Sequence, residues 1–133
     1  MSGECVFCRI ALREQESFIV YEDEEFMVFL DKYPITLGHA LVAPKRHYVN
    51  IFDMPEESVA RAFVLARKVA EAQLKALGAT GVRIVMNNGR DAGQEIMHAH
   101  IHVVPYGVPR LGRRELDRRE GEKVAAVLRG SLA

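Results

Sequence analysis

Apolar and polar residues change period several times along the chain, and each change marks an element. Phe7 to Glu14 reads as a short helix. Ser17–Glu22 and Phe26–Leu30 are β-branched and aromatic runs on either side of the acidic turn Asp23-Glu24-Glu25, the signature of a hairpin. Pro34 to Gly38 reads as a turn and His39–Pro44 as a third strand. The clearest helical period follows, with Val59, Phe63, Ala66, Ala70 and Leu74 forming one apolar stripe. Asp53 is its expected N-cap, with Pro55 in the first turn, Glu56 three residues after the cap and Gly78 closing the far end. Val82–Met86 and Met97–Val104 read as strands four and five on either side of a Gly-rich loop, and Leu116–Leu128 as a helix interrupted by Gly121. Strands joined by short turns around one long helix predict an α+β fold with a mainly antiparallel five-stranded sheet and a shorter C-terminal helix.

Length and charge narrow the classes. At 133 residues the chain is expected to form a single domain, residues 1–133, burying roughly two-thirds of the surface its unfolded form exposes. Lysine plus arginine equals aspartate plus glutamate at 18 each, so bulk charge does not hold this protein to nucleic acid or to an anionic membrane. Residues 1–31 nevertheless carry eight acids against two bases, and residues 107–133 seven bases against four acids; both segments read as solvated faces. No apolar run approaches the length of a membrane span, and Met-Ser-Gly-Glu-Cys lacks the basic and apolar regions of a secretory leader. The expected compartment is the cytoplasm.

Two features carry chemistry. The cysteines, Cys5 and Cys8, stand three apart. In a reducing compartment a structural disulfide closing so short a loop is a poor reading, which leaves a redox pair, half of a tetrahedral metal site, or inert thiols. A redox CxxC is expected after a strand, and no strand fits before Cys5.

The second feature is His98-Ala99-His100-Ile101-His102-Val103-Val104. On a strand the three imidazoles share one face, roughly 6.5 Å apart, while Ala99, Ile101 and Val103 face a core. Such a ladder is costly unless its rings are paired or used. It suits either a metal held by three imidazoles or covalent catalysis, in which one imidazole attacks phosphorus and its neighbours bind phosphoryl oxygens. The loop from Asn87 to Gln94, with amide side chains and accessible backbone N–H groups, suits a phosphate.

With these residues the chain resembles the histidine triad (HIT) superfamily of nucleotide hydrolases and transferases. Gly93-Gln94 precedes the ladder at the family's spacing. Leu30-Asp31 and Gly38-His39-Ala40-Leu41-Val42-Ala43-Pro44-Lys45 match its second recognisable stretch, and Cys5, Cys8 and Lys45-Arg46-His47 resemble its zinc-containing branch. The resemblance covers residues 5–105 and leaves 107–133 as a tail or helix outside it.

By motif position the resemblance implies that His100 attacks the α-phosphorus of a nucleotide, giving a nucleotidyl-histidine that water hydrolyses. His102 would contact the phosphate, Gln94 would position the phosphoryl and leaving groups, and His39 would orient the site. Asn87 would bind on the phosphate side, Asp31 would accept hydrogen bonds from ribose hydroxyls, and Phe7, Ile10 and Phe29 would line the base pocket. His98 would join Cys5, Cys8 and His47 around a structural zinc, a closed set with no open position for catalytic water. A homodimer and a purine nucleotide substrate are implied as well. Glu95 stands where some branches carry Ser or Thr, which leaves the leaving group open among an amine, a polyphosphate-bridged nucleotide and a sugar phosphate. Two alternatives are weighed: a metal-dependent hydrolase using the ladder as ligands, and a nucleotide-binding module with vestigial catalysis. A nucleic-acid role would rest on the arginines of 110–119 alone.

Overall fold

The computed structural model describes residues 5–132; Met1–Glu4, scanned above for a leader, and Ala133 lie outside them. The chain runs α1 (Val6–Ala11), β1 (Ile19–Glu22), β2 (Phe26–Leu30), β3 (Ala40–Pro44), α2 (Glu56–Leu77), β4 (Gly81–Val85), β5 (Ile101–Tyr106) and α3 (Arg118–Leu132), with 3-10 turns at Ile51–Asp53 and Arg90–Ala92. The five strands form one antiparallel sheet in the order β1-β2-β3-β5-β4. This is the α+β architecture expected. Among the described residues no helix is long and apolar enough to cross a membrane.

The sheet buries both faces. On one, Val28, Val42, Ile101 and Val103 pack with α2 and α3 into the main core; on the other, Met27, Phe29, Leu41 and Ala43 pack beneath α1 with Phe7 and Ile10. Alternation along β2 and β3 divides their side chains between the two clusters, as the period of a strand requires.

Several boundaries differ from expectation. Asp53 does not cap α2. Its carboxylate accepts from Val49 N–H and Asn50 N–H at 3.0 Å each, closing a capping box on the preceding 3-10 turn. Pro55 stands at the N-cap instead, and the extended backbone that a proline imposes on Met54 prevents an earlier start.

The face of α2 that packs inward is also rotated from the expected stripe. Ala62, Leu65, Ala66, Val69, Ala70 and Gln73 are buried, whereas Phe63 and Leu74 are 37% and 44% exposed. Small residues let the helix lie close to the sheet, and Gln73 joins them because its Nε2 donates to the Gly38 and Val103 carbonyls at 3.0 and 2.9 Å. Gly121 does not interrupt α3, which runs through it. A Cβ there would stand 2.5–2.7 Å from ring atoms of Phe18, so the glycine marks a close approach of helix to sheet edge. The hydrogen-bonded part of the ladder strand begins at Ile101, four residues later than expected.

Candidate active site and metal centre

The N-terminal cysteines and two histidines meet at one end of the sheet. The Sγ of Cys5 lies 3.3 Å from His98 Nδ1, and the Sγ of Cys8 lies 3.3 Å from His47 Nδ1 and 3.5 Å from His98 Nδ1. All four donor atoms fall within 4.8 Å of one another. A tetrahedron with zinc–sulfur and zinc–nitrogen bonds of ordinary length has S···N edges of about 3.5 Å, so the set fits a zinc ion. The outer support fits too: His98 Nε2–H donates to the Pro44 carbonyl at 2.7 Å, which turns its Nδ1 lone pair toward the sulfurs. Burial and the adjacent Cys5 push the Cys8 thiol up to about 11, the reverse of a redox thiol, which needs a depressed pKa. A bound cation would supply the charge that thiolates in this setting lack.

Beside this centre runs a chain of imidazoles whose tautomers follow from their partners. Ile35 N–H donates to His39 Nδ1 at 3.1 Å, so His39 carries its proton on Nε2. That Nε2–H points at His102 Nδ1, 3.0 Å away, and leaves His102 with its own proton on Nε2. His100 Nδ1–H donates to the His98 carbonyl at 2.6 Å, which leaves the Nε2 lone pair of His100 free. A neutral ring with a free nitrogen lone pair and a neutral N–H donor therefore stand side by side, their ring centroids 5.0 Å apart. Burial lowers the pKa of all three rings, His39 to about 3 and His102 to about 4, and holds them uncharged near neutrality.

The same tautomers weigh against a catalytic metal. Asp31, His39 and His102 lie close enough to be ligands, but His39 Nδ1 is occupied as an acceptor and its Nε2 bears a proton. The ladder histidines do not converge either, because His98 faces the cysteines and His100 spends Nδ1 on backbone.

His100 and His102 open onto a broad cleft whose floor includes Phe7, Ile10 and Phe29, with Asp31, Asn87 and Glu95 around it. Phe7 packs edge-on to Phe29 and to His100, with centroids 5.1 Å apart in both pairs. The Asp31 carboxylate accepts from Tyr33 N–H at 2.8 Å and lies 3.5 Å from His39 Nε2; burial raises its pKa against the pull of that N–H and of Arg113. His39 lies behind His102, fully buried. Gln94 stands apart from the cleft: its Oε1 accepts from Gly89 N–H at 2.8 Å, and its Nε2 donates to the Val49 and Ile96 carbonyls. Its amide thus ties the Gly-rich loop to the segment after β3.

A family model for the HIT domain matches residues 12–107. The chain belongs to the HIT domain family. HIT proteins are generally nucleotide-binding hydrolases or transferases. The chain is similar to the crystal structure of a hypothetical histidine triad nucleotide-binding protein from Sulfolobus tokodaii, at TM-score 0.91 and 37% identity, covering 96% of this chain and 91% of that one. It is similar also to a zinc-bound histidine triad family protein from Mycobacterium smegmatis, at TM-score 0.89 and 39% identity, with 99% and 95% covered. An adenylylsulfatase of Arabidopsis thaliana is 36% identical over 105 residues, 79% of this chain but 53% of that longer protein.

Of the cations that line this HIT domain's cleft, Arg83 on β4 and Arg113 on the segment before α3 are the two whose charge reaches His39 and His102, and neither is among the residues expected at the site. Arg113 was grouped with a solvated tail, and for its neighbours that holds: Arg114 pairs with Glu120, and Arg118 with Glu16 and Glu122, all at the surface. One signal in the sequence separates Arg113 from them, the glycine immediately before it.

Proposed function

We propose that this HIT protein cleaves the α-phosphate linkage of an adenosine nucleotide through a covalent nucleotidyl-histidine on His100, releasing AMP. The observation that carries the reading is the tautomer pair: a free Nε2 on His100 beside a protonated Nε2 on His102, both neutral and both on the cleft. The His100 Nε2 lone pair forms a bond to the α-phosphorus while the bond to the leaving group breaks and its electron pair departs with that group. The positive charge that develops on the ring is met by the His98 carbonyl through Nδ1–H. The charge on a non-bridging oxygen is met by His102 Nε2–H, whose orientation His39 and the Ile35 N–H maintain. Water then attacks phosphorus, the P–N bond breaks, Nε2 recovers its electron pair, and the proton lost by the attacking water passes to solvent.

In this reading Asp31 accepts from the ribose hydroxyls, Phe7, Ile10 and Phe29 receive the base, and Asn87 donates on the phosphate side. Gln94 acts by holding the loop in shape. Cys5, Cys8, His47 and His98 would hold a structural zinc whose four protein ligands keep it out of the chemistry. A homodimer would cover apolar side chains left at the surface, among them Phe63 on α2 and Ile84 on the edge strand β4.

The test is AMP release from adenosine phosphoramidate, a diadenosine polyphosphate, adenylyl sulfate and a nucleotide sugar. The wild type is expected to turn over at least one, and His100→Ala to lose at least ~10³-fold in kcat. Nucleotide binding with no AMP release from any of them would leave a binding module in its place.

A further inference from the structure

Between β5 and α3 the chain forms a strap pinned along the loop between β2 and β3. Leu37 N–H donates to the Pro109 carbonyl, Leu111 N–H to Ile35, Arg113 N–H to Pro34 and Leu116 N–H to Lys32, all at 2.8–2.9 Å. Within it Arg114 N–H donates to the Leu111 carbonyl, closing a four-residue turn whose central residues, Gly112 and Arg113, have φ of 60° and 69°. Turns with positive φ at both central positions are dominated by glycine, asparagine and aspartate. Glycine takes this conformation freely, whereas arginine is strained in it and is held at this place by the hydrogen bonds of the strap; Arg13, at φ 64°, is the other non-glycine residue with positive φ among the described residues.

The place is the mouth of the cleft. The Arg113 guanidinium lies 3.7 Å from Asp31 and 3.6 Å from Glu95, and its one hydrogen bond, to the Tyr33 carbonyl, is 3.2 Å long. Of five N–H donors most stay open, on a side chain that is 46% exposed and lines the same cleft as His100, His102 and Arg83.

Resting on the nucleotide-cleaving reading, we propose that Arg113 is a specificity-determining residue that recognises a second anionic group on the substrate, a phosphate or sulfate beyond the α-phosphorus. A guanidinium binds such a group through two parallel N–H···O bonds, which would replace loose contacts to two carboxylates with a charge-assisted pair. The reacting bonds match. As the His100 Nε2–Pα bond forms and the bond from Pα to the bridging oxygen breaks, the electron pair leaves on a phosphate or sulfate oxygen, which departs as an anion. An amine leaving group would need a proton, and position 95, a carboxylate paired with Arg113, supplies no hydroxyl donor for it.

The first experiment is titration calorimetry of AMP and α,β-methylene-ATP into wild type and into the Arg113→Ala, Arg113→Gly and Arg113→Lys proteins. Glycine suits the left-handed turn, so loss of folding does not obscure the outcome. Alanine and glycine are expected to weaken the triphosphate analogue at least tenfold more than AMP, and lysine to recover part of that difference. Equal weakening of the two ligands overturns the assignment. In the kinetic arm, kcat/KM for diadenosine tetraphosphate and adenylyl sulfate is expected to fall at least tenfold further than for adenosine phosphoramidate. The larger loss names the group, phosphate or sulfate, and a larger loss for the phosphoramidate overturns the assignment. If binding discriminates as expected but no substrate yields AMP, the catalytic reading fails while the role of Arg113 stands.

Discussion

At the scale of single residues, the site is governed by which nitrogen bears a proton, and that is set by backbone groups two to four residues away for His100 and His39 and by a side chain 63 residues away for His102. His39 is committed by Ile35 N–H, His102 by His39, and His100 by the carbonyl of His98. Keeping these rings neutral in the interior has a consequence for stability. His39 and His102 have folded-state pKa values of about 3 and about 4, held down chiefly by burial and then by the groups that face them: His102, Arg113, Arg83 and His100 for His39, and His100, Arg113 and Arg83 for His102. The opposing acid is Asp31, 3.5 Å from His39. In the unfolded chain both rings titrate near 6.5. Below that pH the unfolded state binds more protons, so stability is complete above about 6.5 and falls as pH drops toward 4. Urea midpoints should therefore decline from pH 6.5 to pH 5, reflecting a loss of unfolding free energy on the order of 1–2 kcal/mol per ring. The decline should be shallower in His102→Gln. A wild-type midpoint that stays flat over that window would show that the pair is not held neutral.

At the scale of elements, strand periodicity was readily legible and helix orientation was not. The range of β2 follows from a continuous apolar run bounded by turns, and that of β3 to within one residue, whereas the ladder enters β5 only at Ile101, with His98 in a bend and His100 just before the strand. For α2, the bulky Phe63 and Leu74 attract the expected stripe, while the buried face is built from alanines, Leu65, Val69 and a glutamine. Nothing in the local pattern announces that Gln73 has two carbonyls waiting for it across the core. Gly121 was equally deceptive, since a glycine in a helix ordinarily weakens it. Here its bare Cα admits the ring of Phe18. Gly121→Ala gains ~1 kcal/mol in helix propensity but forces a methyl into the aromatic ring, an overpacking that costs ~1–3 kcal/mol. A net loss of up to ~2 kcal/mol in chemical denaturation is expected, with Phe18→Leu in the same chain restoring most of it. Stabilisation by the alanine alone would mean that the helix and sheet edge are not in contact there.

At the scale of the whole molecule, the cysteine–histidine centre joins α1, which lies outside the sheet, to the loop after β3 and the approach to β5, two segments that the sheet already brings side by side. Its members were legible as a motif resemblance. What the sequence could not reveal is that the same residue serves both centres. His98 turns its ring to Cys5 and Cys8 while its carbonyl fixes the tautomer of His100. A metal there would hold His100 in place without meeting the cleft, and this separates two predictions. Removing the metal with a strong chelator should lower the melting temperature and reduce AMP release together, because the backbone at His98 loosens. Replacing zinc by cadmium, another tetrahedral thiolate-binding cation, should restore both the melting temperature and, within about threefold, kcat. A catalytic metal would behave otherwise, since its hydroxide and Lewis acidity set the rate and change with the ion. If the cadmium protein regains its melting temperature but turns over at least ~30-fold more slowly than the zinc protein, the metal takes part in the chemistry and His100 is not the sole agent of cleavage.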